Sequence, residues 1–436
     1  MYTKFSKNTF SKIGSYCFKL SIVLLPSVFA LSIFLILISL IIRIFETNPK
    51  KIITDKWNLS LIIALIFMTL SSLSSYNLLN DLILLNIPKE PFKDWTPFYS
   101  LIGLFNWVPM FLIFFYFQEY LSSYEKRKQI CKLFIIGSVP VLISGFLQIW
   151  FGIYGPFEFL NGLFIWYQRD GGAFNVFTAM FNNQNYAGTF LNISLPFAFA
   201  SLIEYRKYFL KKLILILFTL LTTIGIFSTY SRNASLGYLI STTTLIINQS
   251  IFSYLGIVAI TLVFLFLIFR FNAGLSNFFD TLFPLNFWSS KSLIFTNFLS
   301  LNRVNIWFIT TKYILKRPLL GWGASTFPIL YEIEKSGTEI YQQSHTHNLF
   351  LELALNYGII VSIIILSFSV MIFINAFKIY RNKIKIKNFL ESDLIFDKAW
   401  FISSLVLIIS QLFDIQYYDG RISISLWILI AGLRKF

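Results

Sequence analysis

The sequence predicts an all-α, polytopic helical membrane protein. About 12 transmembrane helices are expected, with one large structured loop on the outer face. Three observations carry this. Apolar runs near 20 residues recur along almost the whole chain, each long enough to cross a hydrocarbon layer about 30 Å thick. Charged residues make up only 13%, against about 25% in soluble domains. The cations are also unevenly placed along the chain.

The predicted spans are 17–30, 31–45, 57–75, 98–118, 131–152, 184–203, 211–229, 234–248, 251–269, 348–377, 399–413 and 421–433. The first two are read as a hairpin turning near Pro26 to Ala30 rather than as one long helix. Segment 1–19 carries Lys4, Lys7, Lys12 and Lys19, and segment 43–56 carries Arg43, Lys50, Lys51 and Lys56. Basic loops face the cytoplasm, and only a hairpin keeps both inside. The segments 119–132, 204–212, 378–398 and 434–436 are basic in turn. Together the inside segments hold 24 of the 36 Lys and Arg but only 8 of the 20 acids. The net charge of +16 is therefore a topology signal plus attraction to anionic lipid, not a nucleic-acid footprint. Both termini fall in the cytoplasm. The N-terminal run lacks a small-residue cleavage site and reads as a retained span. Cys17 and Cys131 imply neither a disulfide framework nor a thiolate metal site.

This topology divides the chain into a membrane domain over 1–269, a loop over 270–346 with amphipathic helices, and a membrane domain over 347–436. In the loop, LNRVNIWFITTKYILKRPLLGWGASTF opens on Asn302, a helix cap. Val304, Trp307, Phe308 and Ile314 suit an amphipathic helix, which Pro318 and Gly321 stop. Gly323 permits a second turn.

Four outer-face features hold the candidate chemistry. Arg303 lies in the first turn of the loop helix. Arg232 stands in a turn between spans, amid Ser228, Thr229, Tyr230, Ser231, Asn233 and Ser235; a cation there needs a partner or water, or it snorkels to the interface. Arg169 precedes Gly171, and Asn182, Asn183, Gln184 and Asn185 then stand at a span start, suited to capping and to hydroxylated ligands. Finally, SHTHNLFLELALNYG holds His345 and His347, the only two histidines.

His347 and Asn348 are expected to begin a helix, where the dipole favours a neutral, proton-accepting imidazole. Asn348, Glu352 and Asn356 follow at four-residue spacing and form one polar stripe. An intramembrane carboxylate such as Glu352 marks function or a polar network. No metal is expected. Zinc needs three or four ligands, and no third histidine exists, although Glu332, Glu334 and Glu339 could contribute. If both were helical, His345 and His347 would point in different directions.

The order of these motifs resembles the O-antigen ligase and O-antigen polymerase family of bacterial inner-membrane glycosyltransferases. FNNQNYAGTFLNISLPFA is similar to its asparagine-rich start of a middle span, and TYSRNASLG to its serine–arginine element. NRVNIW followed by KRPLLGWGASTF is similar to its Arg-x-x-x-Trp and proline–glycine segment, and HNLFLELALNYGIIV to its His-Asn element. The resemblance implies metal-independent, cofactor-free transfer of a glycan from an undecaprenyl-diphosphate carrier on the periplasmic face. The acceptor would be lipid A-core, a growing glycan or another hydroxyl. It implies a lipopolysaccharide or polysaccharide biosynthesis role in the cell envelope, with His347, Arg232 and Arg303 catalytic and Arg169, Asn185, Asn348 and Glu352 binding substrate. Arginine suits that leaving group because its guanidinium binds phosphate oxygens in bidentate fashion. The alternative is a membrane transporter or accessory protein, such as an inorganic-carbon transport-related member of the same family. Transport would call for polar residues along several mid-span positions, whereas here they gather at one face. A pure scaffold has no positive support.

Overall fold

The computed structural model describes residues 2–78, 82, 84, 87–88, 90–161, 164–171, 176–246, 302–335, 343–387 and 391–436. The expected span 251–269 and the early part of the large loop lie outside the described residues.

Sixteen helices are described. They are α1 (Tyr2–Leu24), α2 (Phe29–Glu46), α3 (Pro49–Thr54), α4 (Lys56–Ser74), α5 (Pro97–Gly103), α6 (Val108–Phe117), α7 (Tyr124–Phe151) and α8 (Gln184–Glu204). They continue with α9 (Phe209–Ser228), α10 (Arg232–Ile246), α11 (Asn302–Lys316), α12 (Phe327–Lys335), α13 (Leu349–Tyr357), α14 (Ile359–Lys387), α15 (Ile395–Ser410) and α16 (Gly420–Leu433). Among the described residues, seven helical stretches are long and apolar enough to cross a membrane. One of them, Pro97–Leu121, combines α5 and α6. The chain is therefore a nearly all-helical membrane protein. A small departure is the antiparallel pair β1 (Phe157–Phe159) and β2 (Phe164–Trp166), with Phe157 opposite Trp166.

The hairpin expected near Pro26 to Ala30 is present, since α1 ends at Leu24 and α2 starts at Phe29. The expected continuous span 348–377 is not. It divides at Gly358 into α13 and α14, because Gly358 adopts φ +93° and a Cβ there would lie 2.0 Å from the Leu319 carbonyl.

The chain forms two compact units. The first comprises residues 1–130, 299–389 and 408–436. In it α1 and α2 pack through small groups: Ser39 Oγ donates to Gly14 O at 3.0 Å and Ser32 Oγ to Ser21 O at 2.8 Å. Side-chain-to-backbone bonds of this kind hold apolar helices together where lipid offers no hydrophobic drive. Helices α6 and α16 join through Phe111, Phe114 and Trp427. Arg127, fully buried, ties the C-terminal residues by donating to Leu121 O and Lys435 O at 3.0 and 2.9 Å.

In the same unit the large loop shares a core with the segment around Trp95 and with α13. Ile306, Ile309, Tyr313 and Ile314 of α11 pack with Trp322, Phe327, Leu330, Trp95 and Leu355. The helix is amphipathic as expected, but its buried face differs. Phe308 is 72% exposed, because 100° per residue turns it away from the row 306, 309, 313.

The second unit comprises residues 131–298 and 390–407. Here α8 and α10 approach closely through small residues. A Cβ on Gly188 would meet Ala234 Cβ at 2.4 Å, and one on Gly237 would meet Asn192 Nδ2 at 2.9 Å. Asn192 Nδ2 bridges the helices by donating to Gly188 O and Ala234 O. The glycine of TYSRNASLG is thus a packing residue.

Candidate active site

The site in the first unit is built on the N-terminus of α13. Asn348 caps that helix: its Oδ1 accepts from Phe350 N and Leu351 N at 3.0 and 3.1 Å, while its Nδ2 donates to Leu412 O at 3.0 Å. Satisfying the first free amides of a helix in this way is the usual role of Asn. The cap corrects the expectation for His347. It stands one residue outside the helix, in the left-handed region at φ +54°. A non-glycine residue held there is strained by about 1–3 kcal/mol and must be fixed by its surroundings.

Asp414, absent from the sequence-based candidates, supplies that hold. Its Oδ1 lies 3.0 Å from His347 Nδ1, with the aspartate side chain 3% exposed and the histidine 22%. An ionised carboxylate only accepts hydrogen bonds. The pair therefore places the proton of a neutral His347 on Nδ1 and leaves Nε2 with its lone pair. Asp414 comes from the connection between α15 and α16, 67 residues away in sequence. The signal for it was its place in QLFDIQYYDG, a short connection between two apolar helices with one other acid, Asp419.

His345 packs edge-on against His347 with ring centroids 4.2 Å apart, and on its other side meets Tyr418 at 6.0 Å. Burial first, then His347 and the Arg303 cation, lower its imidazole to about 4 against the opposing pull of Asp414. Arg303 thus stands close enough to act on His345. One ligand atom each from His345, His347 and Asp414 lie within 4.8 Å of one another, so the three form a group able to hold a metal. Glu334, counted earlier among possible ligands, pairs instead with Lys312 at 2.6 Å. Glu339 lies outside the described residues.

Glu352 is buried and does not reach His347. Its Oε2 accepts from Thr346 N at 3.1 Å, and its Oε1 from Tyr418 OH at 3.0 Å and Asn356 Nδ2 at 3.3 Å. Trp307 Nε1 donates to Thr346 O at 3.0 Å, and Thr346 Oγ1 to Asn348 O at 2.9 Å. Thr346, the residue between the histidines, is thereby pinned from three directions. The polar stripe of Asn348, Glu352 and Asn356 thus anchors the loop that carries His347.

The segment PLLGWG braces the other end of α13. Trp322 N donates to Leu355 O at 2.7 Å, Gly323 N to Asn356 O at 3.0 Å, and Ile359 N to Pro318 O at 2.8 Å. The last carbonyls of a helix need such donors. A Cβ on Gly321 would stand 2.6 Å from Leu355 O, so only glycine lets the two backbones meet.

In the second unit, Asn183 caps α8, accepting from Asn185 N at 2.8 Å and Tyr186 N at 3.4 Å. Arg169 is exposed and approaches Gln184 Oε1 at 3.5 Å. Its backbone is held by Gln148, which donates to Arg169 O at 2.7 Å and to Thr178 Oγ1 at 2.8 Å and accepts from Thr178 N and Ala179 N. Gln148 had no local signature, because its partners are 21 to 31 residues away. Arg232 is exposed at the first residue of α10. The hydroxyls around it serve the backbone: Thr229 Oγ1 donates to Ile226 O, and Ser231 Oγ accepts from Ala234 N.

Arg303, His347, Asn348 and Glu352 thus fall in the first unit. Arg169, Asn185 and Arg232 fall in the second. No curated protein matches the chain. Residues 217–366 match the family model of the O-antigen ligase, a stretch that includes Arg232, Arg303, His347, Asn348 and Glu352 and stops short of Asp414. Over that stretch the resemblance carried by TYSRNASLG, NRVNIW, KRPLLGWGASTF and HNLFLELALNYGIIV is borne out, while FNNQNYAGTFLNISLPFA lies before it.

Proposed function

We propose that the protein transfers a glycan from an undecaprenyl-diphosphate-linked donor to an acceptor hydroxyl, as a ligase or polymerase, at the periplasmic face of a bacterial inner membrane. The family match supports a glycosyl-transferring role on a lipid-linked glycan. The observation that carries the reading further is the His347–Asp414 pair at 3.0 Å.

A hydroxyl attacking an anomeric carbon must lose its proton, and Nε2 of His347 accepts it. Asp414 then balances the imidazolium and keeps the ring in its orientation, as a carboxylate does for a catalytic histidine elsewhere. The acceptor oxygen forms a bond to the anomeric carbon while the bond to the diphosphate oxygen breaks. The undecaprenyl diphosphate leaves with that electron pair. Arg303, beside the histidines, and Arg232 and Arg169, from their motifs, are assigned to the diphosphate charge, which needs no metal when guanidinium groups supply it. Asn185 is assigned to substrate hydroxyls, and Asn348 and Glu352 to holding the loop. Both termini are assigned to the cytoplasm.

The test is transfer from a lipid-linked glycan in membranes holding the protein. His347→Ala should lower the rate about 10²–10⁴-fold, the contribution of a general base. Undiminished transfer rejects the assignment. In cells, loss of the entire surface-glycan ladder on deleting the gene indicates a ligase, and collapse to a single repeat a polymerase.

A further inference from the structure

We propose that His345, His347 and Asp414 form a site for a borderline transition-metal dication of the Zn²⁺ class, and that a metal there shuts off the base. The first observation is the juxtaposition. One ligand atom from each residue lies within 4.8 Å of the other two. Ligand bonds of about 2.0–2.1 Å in tetrahedral zinc put neighbouring donors about 3.3 Å apart. Small side-chain rotations close the remaining gap.

The second observation is the backbone that aims them. Two histidines separated by one residue diverge on a helix, but His345, Thr346 and His347 are not helical. Thr346 is buried, fixed by Glu352, Trp307 and Asn348, and the imidazoles before and after it in sequence meet with centroids 4.2 Å apart. Asp414 is buried and fixed, and the ring of Tyr418 flanks His345. The contact the metal must outcompete at His345 is weak, a 3.4 Å bond from His347 N to Nδ1.

The donor set decides the metal. Two imidazoles and one carboxylate suit zinc, copper or nickel and leave a position for water. Magnesium and calcium require oxygen cages. Nearby Arg303 opposes any cation, so occupancy is set by metal supply and stays reversible. His345, which the transfer chemistry leaves idle, gains a purpose here: it makes His347 blockable. The blockade rests on His347 being the base; the binding does not.

The full-length protein in lipid nanodiscs is titrated with Co²⁺, whose visible absorption reports ligand geometry. One saturable equivalent is expected, displaced by Zn²⁺ and untouched by millimolar Mg²⁺ or Ca²⁺. His345→Gln and, separately, Asp414→Asn should weaken it beyond the roughly 10–100-fold that losing an outer-shell partner costs. An absent stoichiometric phase, or the same affinity in both variants, overturns the site. Asp414→Asn keeps the side-chain volume, so the comparison survives if His345→Gln does not fold. In transfer assays, Zn²⁺ should inhibit the wild type and EDTA should restore it. His345→Gln should keep its metal-free rate and need more than about 100-fold more Zn²⁺. Binding without inhibition upholds the site and rejects the blockade. Full transfer by His347→Ala rejects the base and leaves the binding result standing.

Discussion

Two turns in this molecule look alike in sequence and differ in construction. STYSRNAS and SHTHNLF each place a candidate catalytic residue in a polar turn just before an apolar helix. Each also contains a non-glycine residue in the left-handed region, Tyr230 at φ +50° and His347 at φ +54°. In the first, the neighbouring hydroxyls are consumed by the backbone, and Arg232 stands exposed at the first residue of α10. In the second, local groups also cap the helix, but a carboxylate from 67 residues away grips the histidine. Polar residues close in sequence therefore serve the turn. The partner that tunes chemistry arrives from elsewhere.

The sharpest way to break this contrast is to separate rate from binding. His347→Ala should cost about 10²–10⁴ in turnover and leave donor affinity near its original value. Arg232→Ala should weaken donor binding about 10–100-fold, the worth of charge-assisted hydrogen bonds. Lysine at 232 should restore it only in part, because an ammonium lacks the bidentate fork. Saturation kinetics with the lipid-linked donor checks both. If the arginine variant loses turnover alone and keeps donor affinity, the assigned roles are reversed.

Asp414→Asn is the next largest. The amide can still accept a bond from Nδ1–H, but it carries no charge to balance the imidazolium. A turnover loss of up to about 10⁴-fold is expected, because the amide can also turn its NH₂ toward Nδ1 and hold the ring in the wrong tautomer. Its signature is coupling: the double variant should be no worse than His347→Ala alone, as for groups acting as a unit. Additive losses would show that Asp414 acts on something other than the histidine.

Much of the fold was legible because lipid imposes length. The starts of α4, α8 and α16 fall where Asp55, Asn183 and Asp419 cap apolar runs. The break at Gly358 was not legible, because LALNYGIIV stays apolar across it. Its cause is the loop backbone near Leu319, which a local pattern cannot see. In the site, His347 and its anchors Asn348 and Glu352 were readable from one short stretch. Asp414 was not, although the predicted topology already put it on the outer face. The convergence of the histidines was missed because a helix was assumed where Asn348 begins one only after them.

The brace behind α13 gives a stability prediction. Gly358→Ala puts a methyl group against Leu319 O, at a φ that alanine resists. A loss of about 1–3 kcal/mol is expected, seen as a lower thermal midpoint of the solubilised protein. If transfer falls more steeply than folded protein does, the brace also sets the position of the histidine loop. An equal fall in both makes it a stability device only.

The smallest effect lies in α11, the helix that carries Arg303 and Trp307. Burial, with the Glu334 carboxylate beside it, pushes the Tyr313 hydroxyl up to about 12, and its oxygen lies 3.4 Å from Glu334. The unfolded chain loses this proton near pH 10, two units sooner. Between about pH 10 and 12 the folded state therefore binds more protons than the unfolded one, and stability falls as pH rises. The contribution is complete below pH 10 and its slope cannot exceed about 1.4 kcal/mol per pH unit. Tyr313→Phe removes the titrating group and forfeits only a long hydrogen bond, so near pH 7 it should shift stability by about 0.5 kcal/mol or less. Denaturation midpoints taken for both proteins up to about pH 11 should converge or cross as the wild type weakens. Parallel curves would mean that Tyr313 is better solvated than its packing against Trp322 implies, and that the loop core holding Arg303 is looser than the base it serves.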